Sequence, residues 1–494
     1  MGQTVGMVRS WLAIAALPPL AACAVGPNYR PPAPATLGVP AAFSTPAPEG
    51  ARPDLSRWWT NFGDPQLEAI VAAALKNNLD IAQAVSRLRQ AREALIQQRA
   101  GLFPTLTATD SYSRLINIRG RTAGQFTAAG AVTENYALSG DVAYTADIFG
   151  GVRRGIEAAR GSYQASGYDL AQVQATVASE VVRNYILARA AQAGAEIARG
   201  SLRVQDENLE IAGFRVQAGL VSSLDAEQIR AQRAQTATQV PSFDQSFEQA
   251  ANRLGVLTGQ APGSLKAELF ATKPIPQGPA AVPVGLPADL LRMRPDVQSA
   301  ERNLAAATAR IGVAKAQLLP QLTLSGGINS NAPSFDRLTD LITGRVFAQL
   351  AQTIFDAGRN RAVLRSNRAA AEQAFGAYKA AVLTALEDVE NALTALRTAQ
   401  ARRAEFAVAA EASSNAALLA RSQYRAGLTD ITTLNTAEAA LLTSQSGLAQ
   451  AKADEAQALR QLYLALGGGW NADAPPPTAQ PLKHGDGQPP RPAQ

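Results

Sequence analysis

The sequence predicts a mainly α-helical chain with a smaller β part, in which a helix–strand–strand–long helix–helix unit occurs twice. Three observations support this prediction. Short motifs recur in the same order at a nearly constant separation along the 494 residues. Long segments without proline lie between these motifs and are typical of helices. The other segments alternate apolar and polar residues, which is typical of strands.

The duplication rests on three pairs of matching motifs. They are GLFPTLT at 101–107 with QLLPQLT at 317–323, DIFGGVRR at 147–154 with TIFDAGRNR at 353–361, and FRVQAGLVSSLD at 214–225 with YRAGLTDITTLN at 424–435. Pro104 and Pro320 are 216 residues apart, and Gly219 and Gly427 are 208 apart. Chance similarity between alanine-rich helices would not reproduce these proline and glycine positions, so we infer an internal repeat.

Each half contains the same predicted elements. The first helix spans about 65–101 and 288–318, the strands span about 104–113 and 134–149 or 320–330 and 345–355, the long helix spans 151–217 and 358–426, and the return helix spans 223–257 and 432–466. At 1.5 Å per residue, a helix of about 65 residues is about 100 Å long, which exceeds the helices of ordinary globular domains.

The apolar spacing of the second long helix predicts coiled-coil packing. Its seam consists of Phe375, Val382, Val389 and Leu396, with Leu386 and Leu393 between them. Apolar residues three and four apart are typical of such seams. Gly219 and Gly427 follow the two long helices, where a C-terminal glycine is expected.

The strand segments carry apolar residues on one face and polar residues on the other. In the third strand, Leu322, Leu324, Gly326 and Ile328 alternate with Thr323, Ser325, Gly327 and Asn329. This pattern is typical of membrane barrels, whose strands need about 10 residues to span, and also of half-buried soluble strands. Four strands cannot close a barrel, so spanning strands require an oligomer. A trimer, with twelve strands, and a dimer both satisfy this requirement.

The first residues are typical of an export signal. Arg9 precedes the apolar run WLAIAALPPLAA at 11–22, and Cys23 follows it. The run is shorter than the about 20 apolar residues that span a bilayer, as in a signal peptide. Leu-Ala-Ala-Cys resembles a bacterial lipobox, in which the thiol of Cys23 takes a lipid. A signal peptide cleaved elsewhere and a buried structural cysteine are the alternatives.

Composition argues against several function classes. Cys23 is the only cysteine and His484 the only histidine, so disulfides, multi-cysteine metal sites and histidine catalysis are not expected. The net charge of +6 comes from mixed charges without a long basic block, so we expect no nucleic-acid binding. We also expect no cofactor, no metal and no enzymatic activity.

Several stretches resemble the TolC-like outer-membrane efflux channels, and among them the NodT-type lipoprotein branch of RND efflux systems. They are CAVGPNYRPP at 23–32, RWWTNFGDPQLEAIV at 57–71, DIFGGVRR at 147–154, QAGLVSSLD at 217–225, LPADLLRMRPDVQSAE at 286–301 and YRAGL at 424–428. The resemblance covers about residues 20–467.

This resemblance implies a homotrimer, lipid-anchored in the bacterial outer membrane and extending into the periplasm. Its twelve strands would form an outer-membrane β-barrel, continuous with a twelve-helix periplasmic α-barrel. The implied function is the passive exit duct of a tripartite efflux pump for small molecules such as drugs. The implied partners are outer-membrane lipid, a periplasmic membrane-fusion adaptor protein and, through it, an inner-membrane RND-type transporter.

The chain then divides into six predicted segments. They are the signal peptide 1–22, a lipidated extended segment 23–61, the first efflux repeat 62–257, an equatorial linker 258–287, the second efflux repeat 288–467 and a disordered tail 468–494.

The resemblance also implies that the helix–helix turns carry adaptor docking and the periplasmic gate. The docking residues would be Gly219, Leu220, Val221, Ser222, Gly427, Leu428 and Thr429. The gate residues would be Asp225, Asp430, Thr432, Thr433 and Thr436. Family members often place carboxylates where this chain has Thr433 and Thr436, so the charge of the gate is left open. A simple turn is the alternative for the docking residues.

Two further functions are compatible with these observations. One is the outer-membrane component of a type I protein secretion or metal efflux system. The other is a lipid-anchored coiled-coil scaffold without a pore, which would leave the duplicated strands unexplained.

Overall fold

The computed structural model describes residues 24–45, 54–116 and 132–472. Its helices and strands, in chain order, are α1 Pro65–Asn77, α2 Leu79–Ala100, β1 Thr105–Ile116, β2 Val132–Ala146, α3 Gly151–Gln217, α4 Ser223–Ala237, α5 Gln239–Leu257, α6 Lys266–Leu269, α7 Leu290–Met293, α8 Pro295–Ala316, β3 Gln321–Ala332, β4 Ile342–Ala351, α9 Arg359–Arg425 and α10 Ile431–Ala465.

The described residues form two compact units. One comprises Gln90–Tyr163, Arg302–Gly376 and the N-terminal stretch that ends at Pro31, and it contains the four strands. The other comprises Pro32–Arg89, Gln164–Glu301 and the described residues from Ala377 onward. Each unit draws residues from both halves of the repeat, so the compact units do not coincide with the repeat halves.

The four strands form one antiparallel sheet in the order β1-β2-β3-β4. Each half of the repeat supplies one hairpin, and the pairing of β2 with β3 joins the two hairpins. Within the described part of the chain, the outer edges of β1 and β4 pair with no other strand. Both of these strands are exposed along their whole length.

The register gives the sheet two different faces, because paired residues point to the same side. One row across the four strands is Leu106, Val142, Gly326 and Val346, and the next row is Thr107, Asp141, Gly327 and Arg345. The first face continues with leucine, isoleucine, valine and tyrosine; its charged residues are Asp110, Arg114 and Glu134. The second face continues mainly with threonine, serine and asparagine. The alternation predicted from the sequence is therefore present.

Carboxylates mark the start of both long helices and explain two strand ends that differ from the predicted ones. β2 ends at Ala146 rather than 149, because Asp147 accepts hydrogen bonds from the N–H groups of Val152 (2.9 Å) and Arg153 (3.0 Å) at the start of α3. Similarly, β4 ends at Ala351 rather than 355, and Asp356 accepts a bond from the N–H of Asn360 (2.9 Å) in α9. A side-chain acceptor satisfies N–H groups that the first helical turn leaves free.

The helices agree with the prediction except at three breaks and at the short helix α6, which lies in the segment 258–287 where no helix was predicted. The long helices α3 and α9 have 67 residues each. The predicted helix 65–101 is divided at Asn78, the predicted helix 223–257 is divided at Thr238, and the predicted helix 288–318 is divided at Arg294. Arg294 is extended (ψ 121°) because it precedes proline, which disfavours the helical conformation.

Asn78 and Arg294 occupy equivalent positions in the two halves, where each connects the start of a helix to the end of the return helix. The Asn78 side chain donates to the carbonyl of Leu257 at the end of α5 (2.9 Å), and Arg294 donates to that of Ala465 at the end of α10 (3.2 Å). Gly259 and Gly467 follow these ends with φ of 73° and 80°. A Cβ at Gly259 would overlap Asn77, and one at Gly467 would overlap Met293. The duplication is thus visible in packing as well as in sequence.

The predicted seam of α9 is correct for most of its members. Val382, Val389, Leu393 and Leu396 are buried. Leu386 is half-buried and Phe375 is 38% exposed, so these two seam residues are not buried within the described chain. No helix in the described ranges is both long and apolar enough to cross a membrane.

The N-terminal stretch is held against the start of α3. The N–H of Val25 donates to the carbonyl of Phe149 (3.1 Å). Buried Arg154 donates to the Val25 carbonyl (3.2 Å) and to the side chain of Asn28 (2.6 Å). The first described residues are therefore fixed where β2 gives way to α3.

Candidate functional site

Both helix–helix turns have the same backbone hydrogen bonds. At the first turn, the N–H of Leu220 donates to the Arg215 carbonyl (2.9 Å) and that of Gly219 to the Val216 carbonyl (3.0 Å). At the second turn, the N–H of Leu428 donates to the Gln423 carbonyl (2.9 Å) and that of Gly427 to the Tyr424 carbonyl (3.0 Å). This is the Schellman motif, which requires a left-handed residue, and the glycines have φ of 69° and 74°.

The leucine after each glycine is directed to solvent. Leu220 is 74% exposed and Leu428 is 79% exposed. In a Schellman motif this residue frequently packs back on its own helix, so the exposure is informative. Leu224, the second residue of α4, is also exposed, at 61%. The two turns thus present apolar side chains that nothing in the described chain covers.

A small hydrophobic cluster packs the two turns together. Its buried members are Ala212 of α3, Ile229 of α4, Ala420 and Tyr424 of α9, and Ile431 and Leu434 of α10. Four helices from both halves therefore meet directly behind the turns. The cluster therefore supports the turns that carry the exposed leucines.

Arg215 links the first turn to the second. Its guanidinium donates to the carbonyl of Tyr424 (2.8 Å) at the end of α9 and lies 4.6 Å from the centre of the Tyr424 ring. A cation at a helix C-terminus interacts favourably with the helix dipole, and a cation over a ring adds to this. The hydrogen bonds of the two turns make Tyr424 equivalent to Val216. Aligning the motifs FRVQAGL and YRAGL by their aromatic residues would instead match Tyr424 with Phe214, so the aromatic residues are not structurally equivalent.

A partly buried ion pair joins the two helices of the second hairpin. Arg421 of α9 binds both carboxylate oxygens of Glu438 in α10, which is 3% exposed. The hydrogen bond to Glu438 raises the pKa of Arg421. A charge-assisted bidentate pair of this kind fixes both distance and orientation.

The predicted gate residues have different environments. Asp430 is the N-cap of α10, where its carboxylate accepts from the N–H of Thr433 (2.8 Å), and this bond lowers the pKa of Asp430. Asp225 is partly buried in the first turn of α4, whose N-cap is Ser222. The side chains of Thr432, Thr433 and Thr436 are exposed. Asp430 therefore has a structural role beside any gating role.

The predicted docking residues Gly219, Leu220, Val221, Ser222, Gly427, Leu428 and Thr429 form the two turns. Sequence reasoning missed Arg215, Tyr424, Arg421 and Glu438, which connect the helices behind them. Arg421 and Glu438 are seventeen positions apart, and no local sequence pattern pairs them. Cys23 lies outside the described residues.

No cluster of three or more histidine, cysteine, aspartate or glutamate side chains that could hold a metal ion is present in the part of the chain that the structure describes.

The family model for outer membrane efflux proteins matches residues 70–260 and 286–468. The chain belongs to the outer membrane efflux protein family. This confirms the resemblance inferred from the sequence. The outer membrane efflux protein family consists of channel proteins rather than enzymes, and this member is an outer-membrane efflux channel.

Individual relatives agree with the family. The chain is 31% identical over 466 residues to nodulation protein T of Rhizobium leguminosarum bv. trifolii, covering 92% of this chain and 96% of the relative. It is 32% identical over 454 residues to the pyoverdine export outer membrane protein OpmQ of Pseudomonas putida, covering 90% and 95%.

Solved structures of efflux channels have the same fold. The outer-membrane channel OprN matches with a TM-score of 0.82 at 34% identity, covering 91% of this chain and 100% of that one. The open state of the MtrE outer membrane channel of Neisseria gonorrhoeae matches with a TM-score of 0.77 at 25% identity, covering 93% and 100%. The mostly helical fold with a sheet portion is therefore the fold of outer-membrane efflux channels.

Proposed function

We propose that the chain assembles as a homotrimer that serves as the passive exit duct of a tripartite efflux pump. Three copies of the four-stranded sheet close a twelve-stranded β-barrel in the outer membrane. The long helices form a twelve-helix α-barrel in the periplasm. The channel carries small molecules such as drugs, performs no chemistry and needs no cofactor.

The observation that carries this proposal is the sheet. Its two outer edges have no strand partner within the described chain, and its faces differ in polarity. Unpaired backbone groups in lipid cost several kcal/mol each, so a membrane-spanning sheet must close. The strands have 10 to 15 residues, and about 9–11 suffice to span a bilayer. Pairing β4 of one copy with β1 of the next closes the sheet and places its apolar face toward lipid.

The turns are the proposed docking surface for a periplasmic membrane-fusion adaptor. Exposed Leu220 and Leu428 supply apolar contact area, and the cluster behind them holds both turns in one arrangement. Through the adaptor, the channel connects to an inner-membrane RND-type transporter. Asp225, Asp430, Thr432, Thr433 and Thr436 line the periplasmic aperture in this proposal.

Cys23 is the proposed lipid anchor of the mature chain. Val25 and Asn28, just after it, are held by Arg154 beside the end of β2. Val25 and Asn28 lie beside the end of β2, which supports an acyl anchor two residues before Val25 that enters the same bilayer as the strands. Residues 1–22 are then removed as a signal peptide, 258–287 form the equatorial linker, and 468–494 form the tail.

Trimer formation and conduction are measured on the same preparation. The protein is purified in detergent from outer membranes, and native mass spectrometry is expected to give three copies. Cysteine pairs, one residue on β1 and one on β4, are introduced as a panel across both strands. We expect disulfide-linked dimers and trimers for at least one register. Planar bilayers should show single channels; a stable trimer without conductance would refute the channel and favour the scaffold.

A further inference from the structure

The polar face of the sheet carries two charged residues among the described strand positions. They are Asp141 on β2 and Arg345 on β4. The other described positions of this face are mainly threonine, serine, asparagine and glutamine. Two charges on a face that otherwise avoids charge call for a physical reason.

The two charges meet across an intervening strand. Asp141 pairs in register with Gly327 of β3, and Gly327 pairs with Arg345, so all three lie in one row. The Arg345 guanidinium donates to the Asp141 carboxylate (3.2 Å). It passes over Gly327, where a Cβ would overlap the Asp141 carboxylate oxygen. The glycine therefore makes room for the ion pair.

Stability does not explain this arrangement. The side chains of Arg345 and Asp141 are 75% and 40% exposed. Exposed ion pairs contribute little to folding, because water solvates both charges in either state. A glycine within a strand also weakens the strand. Gly327 lowers the stability of β3, and the exposed ion pair returns little stability. This arrangement therefore indicates a role in the pore.

We infer that the Asp141–Arg345 pair across Gly327 sets the charge selectivity of the lumen at this level of the sheet. The inference rests on the proposed function, in which the polar face lines the bore of a trimeric barrel. Three copies place three carboxylates and three guanidinium groups in one ring. The ring has no net charge, so it lets solutes of either sign pass. A ring with one sign only would select against co-ions.

The size of the bore makes such a ring effective. Twelve strands spaced by about 4.8 Å and tilted by about 40° form a barrel about 24 Å across at the backbone. Inward side chains leave a bore with a radius below about 10 Å. The Debye length is about 30 Å in 0.01 M salt and about 3 Å in 1 M salt. An unbalanced ring therefore acts across the whole bore in dilute salt and acts weakly in concentrated salt.

The test is the reversal potential of single trimers in planar bilayers under a KCl gradient near 0.01 M. Arg345→Gln leaves the Asp141 ring, and we expect the cation preference to rise at least about twofold over the wild type. Asp141→Asn leaves the Arg345 ring and should shift the preference toward anions by a similar factor. The double variant should return to the wild-type value. All shifts should decrease strongly when the salt is near 1 M.

A matched control lies on the opposite face. Arg114 and Glu134 form an exposed ion pair (3.8 Å) between β1 and β2 on the face that the proposal directs to lipid. Arg114→Gln removes the same charge and should leave selectivity unchanged. Equal reversal potentials for wild type and both single variants at Asp141 and Arg345 would overturn the inference while the conductance upheld the channel. Absence of wild-type conductance would instead refute the proposed function.

Discussion

Replacing Arg294 with methionine tests the junction between α8 and the end of α10. Arg294 is 7% exposed and donates to Asp296 (2.7 Å), Asp388 (2.8 Å) and the Ala465 carbonyl (3.2 Å). Burial lowers the pKa of Arg294, but the hydrogen bonds to the two carboxylates outweigh it and raise the pKa overall. The guanidinium thus satisfies one helix end and joins three segments.

The expected loss follows from these contacts. Methionine fills most of the same volume, so little cavity forms. Breaking a fully buried pair costs about 3–5 kcal/mol, because a charge is left without a partner. The Asp296 and Asp388 side chains are 33% and 35% exposed, so water can solvate both carboxylates in the variant and the loss of stability is smaller than for a fully buried pair. The Ala465 carbonyl loses a donor, which costs about 1–3 kcal/mol. We expect Arg294→Met to lower the free energy of unfolding by about 2–4 kcal/mol.

Denaturant unfolding of the detergent-purified protein, followed by circular dichroism, measures this loss. The control is Arg402→Met, which removes an exposed pair with Asp454 (3.2 Å) and should cost at most about 1 kcal/mol. If Arg294→Met destabilises the protein no more than Arg402→Met does, the junction is not a main source of stability and the reasoning is wrong.

Three other predictions concern the turns and the N-terminal stretch. An added methyl group at Gly427 meets nothing within 4 Å, so Gly427→Ala should lower the free energy of unfolding only through the strain of a left-handed alanine, by about 1–2 kcal/mol. Gly447→Ala would overlap the Phe406 ring and should lower the free energy of unfolding more, through overpacking. The pKa of Asp430 is lowered in the folded state, so its contribution is present above its unfolded pKa of about 3.9 and is lost as the pH falls through the folded value. Hydrogen exchange of the turn peptide, corrected for intrinsic rates, should therefore speed up as the pH falls from about 5 to about 2 in the wild type and change less in Asp430→Asn, which keeps a capping oxygen. Equal pH responses would contradict this assignment. Arg154→Met should expose residues 24–31 to protease while the strands stay folded, whereas Arg153→Met, at a half-exposed neighbouring side chain, should not; equal cleavage of both variants would show that Arg154 does not hold this stretch.

Local patterns in the sequence predicted the type of most elements, although the short helix α6 was not predicted. The two long helices, the alternating strands and the glycine turns follow from periodicity, from the absence of proline and from residues that permit positive φ. The breaks at Asn78 and Thr238 were missed, because neither residue is a strong helix breaker. The break at Arg294 was also missed, although Pro295 after it disfavours a helical Arg294. Asn78 ends one helix by capping the next, where its side chain accepts from the N–H of Asp80 (2.8 Å).

The sequence by itself determined the repeat, the family and the positions of the turns, because each of these depends on short motifs of residues that are close together in the chain. Only the tertiary structure decided which side chains meet. Arg215 reaches Tyr424, and Arg345 reaches Asp141 over Gly327, across separations of about two hundred residues. The register of β3 between β2 and β4 places that glycine under the ion pair. Such contacts depend on how distant elements pack, and no local pattern specifies that packing.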